Sequence, residues 1–373
     1  MTDRAPMARQ QLEEWFLRRS PTTGARRVLP FSAAIASETG LVRKQNEDRA
    51  AIARGRDTEG RVFVVAAVAD GIGGMQDGHV CASTGLASLL TSLLSQARAG
   101  VPSERWLESA LIAANESVYR RYLSNGGTTL SVLLLLEGGG GYWASVGDSR
   151  IYAMESALVQ LSKDDTIAGQ LGKQRGVAEH SKLLQYIGIG SSLEVSVSAV
   201  TPGQQGMALL TTDGVHFMES ATGILELIVR NAGDYGTCVR RLVELSRWCG
   251  GPDNATAIAI PFGNDALADE TPMSSSCLEV WDAFGEVRIL DFGGGPSSRH
   301  EPEYAEVLTN RDSEVPPGPP VSQADADAPS APPSTGVKRK KKPKTKAAVK
   351  TTTKSKEENK VPQVQIQFSD KEG

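Results

Sequence analysis

RVFVVAAVADG, residues 61–71, is the stretch that decides how this chain folds. After Arg61 it is β-branched, aromatic or small and apolar without a break until Asp70-Gly71 closes it. An apolar run this short, ended by a turn pair, reads as a buried strand rather than a helix. Working outward, residues 78–95 place Ala82, Leu86, Leu89, Leu90 and Leu93 at helical spacing. Residues 104–123 repeat the pattern with Trp106, Leu107, Ala110, Leu111, Ala114 and Val118. Two helices with apolar faces need a sheet to cover. Strands are expected to begin at Phe31, and three more follow at 129–136, 142–147 and 150–155. The Gly138–Gly141 run between the first two admits positive φ and suits a hairpin. Strand patterns return at 194–200, 207–211 and 254–262, and helical ones at 221–231 and 235–248. The regular strand–helix alternation of a doubly wound sheet is missing. Two antiparallel sheets covered by helices, an α+β arrangement, absorb this order of elements.

Hydrophobic residues make up 40% of the chain and cluster before residue 262, so residues 31–262 read as one domain. Residues 1–30 are an N-terminal extension in which 8–19 makes a short helix with Leu12, Trp15 and Phe16 on one side. Residues 263–312 are an accessory segment. Its stretch 277–292 carries two alternating apolar runs about Gly285, a hairpin or pair of edge strands packed on the domain. Residues 313–373 are a disordered tail, with seven prolines between Ser313 and Thr335 and then a Lys-rich run from Lys338 to Lys360. Near its end Val364, Ile366 and Phe368 alternate in a way that can add to a sheet edge.

The formal charge of -4 hides an asymmetry: residues 336–373 carry +8 and the rest -12. The tail is therefore expected to engage an acidic protein surface, nucleic acid nonspecifically, or the acidic part of its own chain. No aromatic residue between Lys338 and Lys360 is available to stack on bases, which argues against sequence reading. Cys81, Cys238, Cys249 and Cys277 form no CxxC pair, so neither a zinc knuckle nor a disulfide framework is expected, and a reducing compartment is. Without a hydrophobic signal core or an 18-residue apolar window, a cytoplasmic protein with no membrane span is the expectation.

The chemistry lies in carboxylates set beside glycines where apolar strands end or begin: Glu47-Asp48, Asp70-Gly71, Gly147-Asp148, Asp213-Gly214 and Gly251-Pro252-Asp253. One Asp-Gly alone reads as a turn, because aspartate caps its own backbone and glycine takes unusual dihedrals. Several buried carboxylates meeting at one mouth would repel one another unless a cation joined them. Oxygen-only ligands favour Mg²⁺ or Mn²⁺ over zinc. Taken alone, the set reads equally as turns or as a multi-carboxylate metal site, whose leading use is phosphoester hydrolysis.

Six ordered pieces resemble the PPM or PP2C-like protein phosphatases of bacterial type. They are Gly40-Leu41-Val42-Arg43 with Asn46-Glu47-Asp48, then Val68 through Gly74, Gly127-Thr128-Thr129, Val146 through Tyr152, Thr212-Asp213-Gly214, and Asp253 through Thr256. The resemblance implies a four-layer α/β/β/α sandwich with two central antiparallel sheets and two Mn²⁺ or Mg²⁺ ions at one end. It implies hydrolysis of phosphoserine and phosphothreonine in proteins by a water activated between the two ions, opposing a bacterial Ser/Thr kinase or acting on its substrates. Asp70 would bridge both metals, with the Gly71 carbonyl as a further ligand. Asp213 and Asp253 would hold one ion, and Asp48, with Glu47 beside it, the other. Asp148 matches the position used for a third, weaker ion, and Arg43 would grip the phosphate.

The chain departs from the family in places. Ile72 stands where eukaryotic relatives carry histidine, so the leaving-group acid is open. Leu161-Ser162-Lys163-Asp164-Asp165 lacks a histidine common in that motif, and the flap around 169–185 reads as shortened, which bears on substrate selection. His180 falls near a position where relatives have histidine. His79 is expected to cap or pack near the first helix, and His216 to lie behind Asp213. The different-class alternative is a catalytically inactive phosphoprotein-binding or scaffold protein with a basic recruitment tail.

Overall fold

Alternation along one strand assigns the layers. In the computed structural model, β4 (Val62–Ala69) turns Phe63, Val65, Ala67 and Ala69 to one side and Val64, Ala66 and Val68 to the other, as successive Cβ atoms of a strand must. The first set packs beneath α2 (Gly78–Arg98) and α3 (Trp106–Tyr122). The second meets Ile35, Leu210 and Ile258 of an opposing sheet. A strand buried on both faces needs both sets to be apolar, which is why its sequence runs without a polar residue. The structure describes residues 4–171, 182–200, 205–218, 223–262 and 277–290, all in the unit Met1–Arg299. Most of the expected flap, His180 and the whole tail 313–373 lie outside the described residues.

One sheet has six strands in the order β1 (Thr23–Val28), β2 (Ala33–Glu38), β11 (Ala255–Pro261), β10 (Met207–Thr211), β7 (Arg150–Met154) and β8 (Leu158–Gln160). The other has seven, in the order β13 (Glu286–Leu290), β12 (Cys277–Trp281), β3 (Arg49–Arg56), β4, β5 (Leu130–Leu136), β6 (Gly141–Val146) and β9 (Val197–Ala199). These neighbours pair antiparallel. Helices α1 (Arg4–Leu17), α2 and α3 cover the seven-stranded sheet, while α6 (Ile224–Asn231) and α7 (Tyr235–Trp248) cover the six-stranded one. The result is an α/β/β/α sandwich, with the short helices α4 (Ile167–Leu171) and α5 (Asp213–His216) in its loops. Helix α2 is long and apolar enough to cross a membrane by length and composition, but 78% of its most apolar window is buried in this protein core.

Two elements differ from expectation, and the expected hairpin gains a partner. The first strand precedes Phe31: β1 pairs with all of β2, and Phe31 closes a short 3-10 turn with its ring 5.4 Å from that of Trp281. The strand TGARRV has no apolar alternation because it is an edge; Arg26 pairs outward with Glu286 and Arg27 with Asp234. The strand expected at 194–200 shrinks to three residues on β6. The 277–290 segment is a hairpin that enlarges the sheet through β12 and β3, in register Glu279↔Arg54 to Trp281↔Ile52. That register carries a buried ion pair, with Arg54 Nε 2.8 Å from the Glu279 carboxylate. Burial of such a pair adds little net stability but penalises every register that separates it.

Candidate metal centre at one end of the sandwich

Antiparallel pairing brings the expected site residues to one end. Arg49 opens β3 opposite Ala69, the last residue of β4; Leu130 opens β5 opposite Val146. In the second sheet Arg150 opens β7 opposite Thr211, and Ala255 opens β11 opposite Glu38. Asp48, Asp70, Asp148, Asp213 and Asp253 all lie within two residues of these strand ends, so the ends of β3, β4, β7, β10 and β11 present carboxylates to a shared mouth.

Each carboxylate loop is fixed by polar side chains. The Asp70 amide donates to Thr129 Oγ1 (2.9 Å), and its carbonyl accepts from Thr128 Oγ1 and the Thr129 amide (both 2.8 Å). Gly71 then bridges to Thr128. Gly127-Thr128-Thr129 therefore acts as a backbone clamp on Asp70. Asn254 ties its own loop to three points of the loop between β2 and β3: its Nδ2 donates to the carbonyls of Thr39 and Gln45, and its Oδ1 accepts from the Glu47 amide (2.8 Å). The Asp213-Gly214 pair sits where β11 passes closest. A Cβ on Gly214 would stand 1.9 Å from the Asn254 carbonyl oxygen, so only glycine fits. Thr212, just before it, donates from Oγ1 to Asp48 Oδ2 (2.8 Å) and accepts from the Thr256 amide (3.0 Å).

The electrostatics are those of crowded anions. Burial pushes the Asp48 carboxyl up to about 7; the Thr256 and Thr212 hydroxyls oppose this, and the charges of Asp213 and Asp253 reinforce it. Asp48 is 3% exposed, and its Oδ1 has no hydrogen-bond partner. Asp70 keeps part of its surface open to the mouth. Its low-dielectric walls, and then the charges of Asp48, Asp213, Asp148 and Asp253, raise its pKa well above the usual carboxylate range. Arg43 donates from Nη2 to Asp253 Oδ2 (2.7 Å), and that bond raises the pKa of the guanidinium, with Glu47 and Asp70 adding to the pull. Gly73 gives Arg43 its room, since a Cβ there would stand 2.6 Å from Nη1.

A hard cation fits this donor set: the acids are carboxylates, and one buried oxygen is unsatisfied. Among the described residues, however, no three His, Cys, Asp or Glu side chains gather closely enough to form a metal cage. The carboxylates feel one another without closing into ligation geometry.

Of the histidines, His216 is buried with Nδ1 3.0 Å from Thr211 Oγ1, and His79 lies half-buried in the first turn of α2. Burial pushes the Cys81 and Cys238 thiols up to about 12, which leaves them inert as nucleophiles. Asp164, which precedes the Asp165 that stands in place of the motif's histidine, makes a two-pronged pair with Arg150 (2.8 and 2.9 Å). Thr212 and Asn254 lie in the pieces Thr212-Asp213-Gly214 and Asp253 through Thr256 with no role expected of them; their signal is a small polar residue adjoining an aspartate at a strand end.

No family model matches the chain. The crystal structure of the PPM Ser-Thr phosphatase MsPP from Mycobacterium smegmatis, in complex with cacodylate, is 30% identical and covers 62% of this chain and 98% of its own, with a TM-score of 0.51. The chain belongs to the PPM, or PP2C-like, serine/threonine phosphatase family. Among curated relatives of this family, the serine/threonine protein phosphatase PstP of Mycobacterium tuberculosis is 30% identical over 247 residues, which is 63% of this chain. The chain spans just 45% of the length of that relative. Staphylococcus aureus Stp1, at 20% identity and a TM-score of 0.53, shares the PPM fold.

Proposed function

We propose that the mouth of the sandwich hydrolyses phosphoserine and phosphothreonine esters of proteins, with two Mn²⁺ or Mg²⁺ ions as cofactors. The observation that carries this reading is the set of carboxylates around Asp70, each near enough to raise its pKa, beside a guanidinium. Asp70 would serve both ions with the Gly71 carbonyl. Asp213 and Asp253 would hold one, Asp48 and Glu47 the other, and Asp148 a weaker third. When bound, the cations supply the acidification of water and the neutralisation of charge that in-line attack on phosphorus requires.

The chain's own residues bind and orient the phosphoryl group. Arg43 offers a planar fork to two phosphate oxygens. Its tie to Asp253 aims the fork, and Gly73 keeps the approach clear. The M. smegmatis relative is in complex with cacodylate, a tetrahedral oxyanion, which supports binding of a phosphoryl-like anion by a protein of this fold. Substrates would be phosphoproteins in a bacterial cytoplasm, a Ser/Thr kinase or its targets among them. The basic tail would recruit an acidic protein surface or contact nucleic acid by charge alone.

A second reading, a phosphoprotein-binding scaffold without turnover, draws on the lack of a closed ligand group among the described residues. One experiment separates the two. Phosphate release from a phosphothreonine peptide should require Mn²⁺ or Mg²⁺ and vanish in Asp213→Asn. Peptide binding by the native protein with no release at any metal concentration would overturn the enzyme reading.

A further inference from the structure

A half-buried cation stands directly behind the site, and none of the steps above uses it. Arg49, the first residue of β3, shares its Nε proton between the Phe16 carbonyl (2.8 Å) and Ser83 Oγ (3.0 Å). Its Nη1 donates to the carbonyls of Asn46 (3.0 Å) and Asp48 (2.7 Å). One guanidinium thus joins the last turn of α1, the start of α2 and the loop carrying Glu47 and Asp48.

The connection continues to the far end of the described chain. Arg18, just past α1, stacks 3.8 Å from the Trp15 ring centroid and donates to both carboxylate oxygens of Asp282 (2.8 Å each). Asp282 Oδ1 in turn accepts from the Phe284 and Gly285 amides (2.8 Å each) and so shapes the turn of the β12–β13 hairpin. A cavity of about 20 Å³ is lined by Arg18 and Asp282 on one side and Asp48 and Arg49 on the other. It has room for about one water, so little solvent can absorb a shift of the hairpin turn before it reaches the loop.

We infer that Arg49 is a positioning residue for the Asp48 carboxylate, through which α1 and the β12–β13 hairpin brace the metal-facing loop from behind. Asp48 Oδ1 has no hydrogen-bond partner, so the direction of that oxygen depends on the Thr212 bond to Oδ2 and on the backbone that Arg49 holds. Arginine suits the task because its rigid fork reaches several carbonyls at once, whereas a lysine ammonium is a single point on a flexible stem.

The inference rests on the metal-centred reading of the mouth, and its test separates the two. Mn²⁺ binding is measured by titration calorimetry on the full chain, wild type and Arg49→Met, Arg49→Lys and Leu242→Ala, with thermal unfolding of each. Leu242 lies in α7, in the opposite helix layer, and serves as a control for lost stability. Arg49→Met should weaken Mn²⁺ binding by about tenfold or more, as loss of groups supporting a metal ligand does, and Arg49→Lys should recover only part of that loss. Turnover at saturating Mn²⁺ should stay within about threefold of wild type, because the ligands themselves remain. Leu242→Ala should lower the unfolding temperature and leave Mn²⁺ affinity unchanged. Equal Mn²⁺ affinity in wild type and both Arg49 variants would overturn the inference, as would full recovery by lysine, which would reduce Arg49 to a charge. If Arg49→Met does not fold, Arg49→Lys carries the same test. A wild-type protein that binds no Mn²⁺ would overturn the metal reading itself, and the inference with it.

Discussion

Two carboxylates with nearly the same burial show opposite solutions to one problem. Glu279, on β12, is 3% exposed and meets two arginines, Arg54 at 2.8 Å and Arg288 at 3.1 Å. Asp48, just before β3, is also 3% exposed, yet only threonine hydroxyls oppose its burial, its Oδ1 has no hydrogen-bond partner, and further carboxylates lie nearby. Burying an anion costs several kcal/mol unless it is compensated. At Glu279 the chain supplies the compensation, so the pair defines register and serves the fold. At Asp48 the compensation is left out, which is tolerable where a cation from solution completes the set. The proposed function therefore assigns stability and chemistry to different buried acids at the same sheet.

Removing charge should have opposite effects at the two places, and the largest contrast is at Asp70. Asp70→Asn is expected to cut Mn²⁺-dependent phosphate release by about 10³-fold, the scale of losing a group that stabilises transition-state charge. The same change should raise the unfolding temperature of the metal-free protein at pH 8, because it relieves repulsion from Asp48, Asp213, Asp148 and Asp253. A variant that loses both activity and metal-free stability would show that Asp70 is held by the fold, as Glu279 is.

The next effect depends on pH. The Asp48 carboxyl titrates near 7 in the fold, against 3.8 for an ordinary aspartate. Between these values the folded state holds the proton more tightly than the unfolded state. The contribution of Asp48 to stability is thus present below about pH 4 and lost as pH rises to about 7. In metal-free protein, the stability of Asp48→Asn relative to wild type should therefore grow by a few kcal/mol across that window and level off above it. Urea unfolding at successive pH values reads this directly, and saturating Mn²⁺ should reverse the ranking. A difference independent of pH would mean that Asp48 is already compensated.

Glu279→Gln should do the reverse of Asp70→Asn. It leaves the Arg54 cation buried without its partner charge, so stability to urea should fall by about 3 kcal/mol. Turnover per folded molecule at saturating Mn²⁺ should be retained. Loss of turnover without loss of stability would merge the two regions that the comparison separates.

This division also marks what could be read from the sequence. The layers were legible in β4, because a strand buried on both faces must be apolar throughout. The aspartates were legible because each adjoins the end of an apolar run, and antiparallel pairing sends alternate strand ends to one mouth. Strand β1 was not legible, since TGARRV is an edge whose arginines face outward. The partner of the hairpin was hidden for another reason: Glu279 and Arg54 lie 225 residues apart, and no local pattern encodes so distant a register. Arg49 looked like one more charged residue after Asp48, and its four acceptors appear only when three separate elements meet.

The smallest effect distinguishes crowding from backbone strain in the loop that follows Asp70. Gly73 and Gly74 are adjacent, but they are glycine for different reasons. A Cβ on Gly73 would stand 2.6 Å from Arg43 Nη1, while a Cβ on Gly74 would meet nothing within 4 Å, although its φ of +87° disfavours any side chain. Gly73→Ala should therefore push the flexible end of Arg43 off its line, raising KM for a phosphopeptide by about tenfold, or roughly 1.4 kcal/mol of binding, with unfolding unchanged. Gly74→Ala should leave KM alone and cost about 1 kcal/mol of stability through its backbone. Steady-state kinetics and thermal unfolding of the two variants side by side resolve the cases. If Gly73→Ala changes stability but not KM, Arg43 is held by Asp253 as part of the fold, and the fork assigned to phosphate belongs with the paired arginines of the Glu279 region instead.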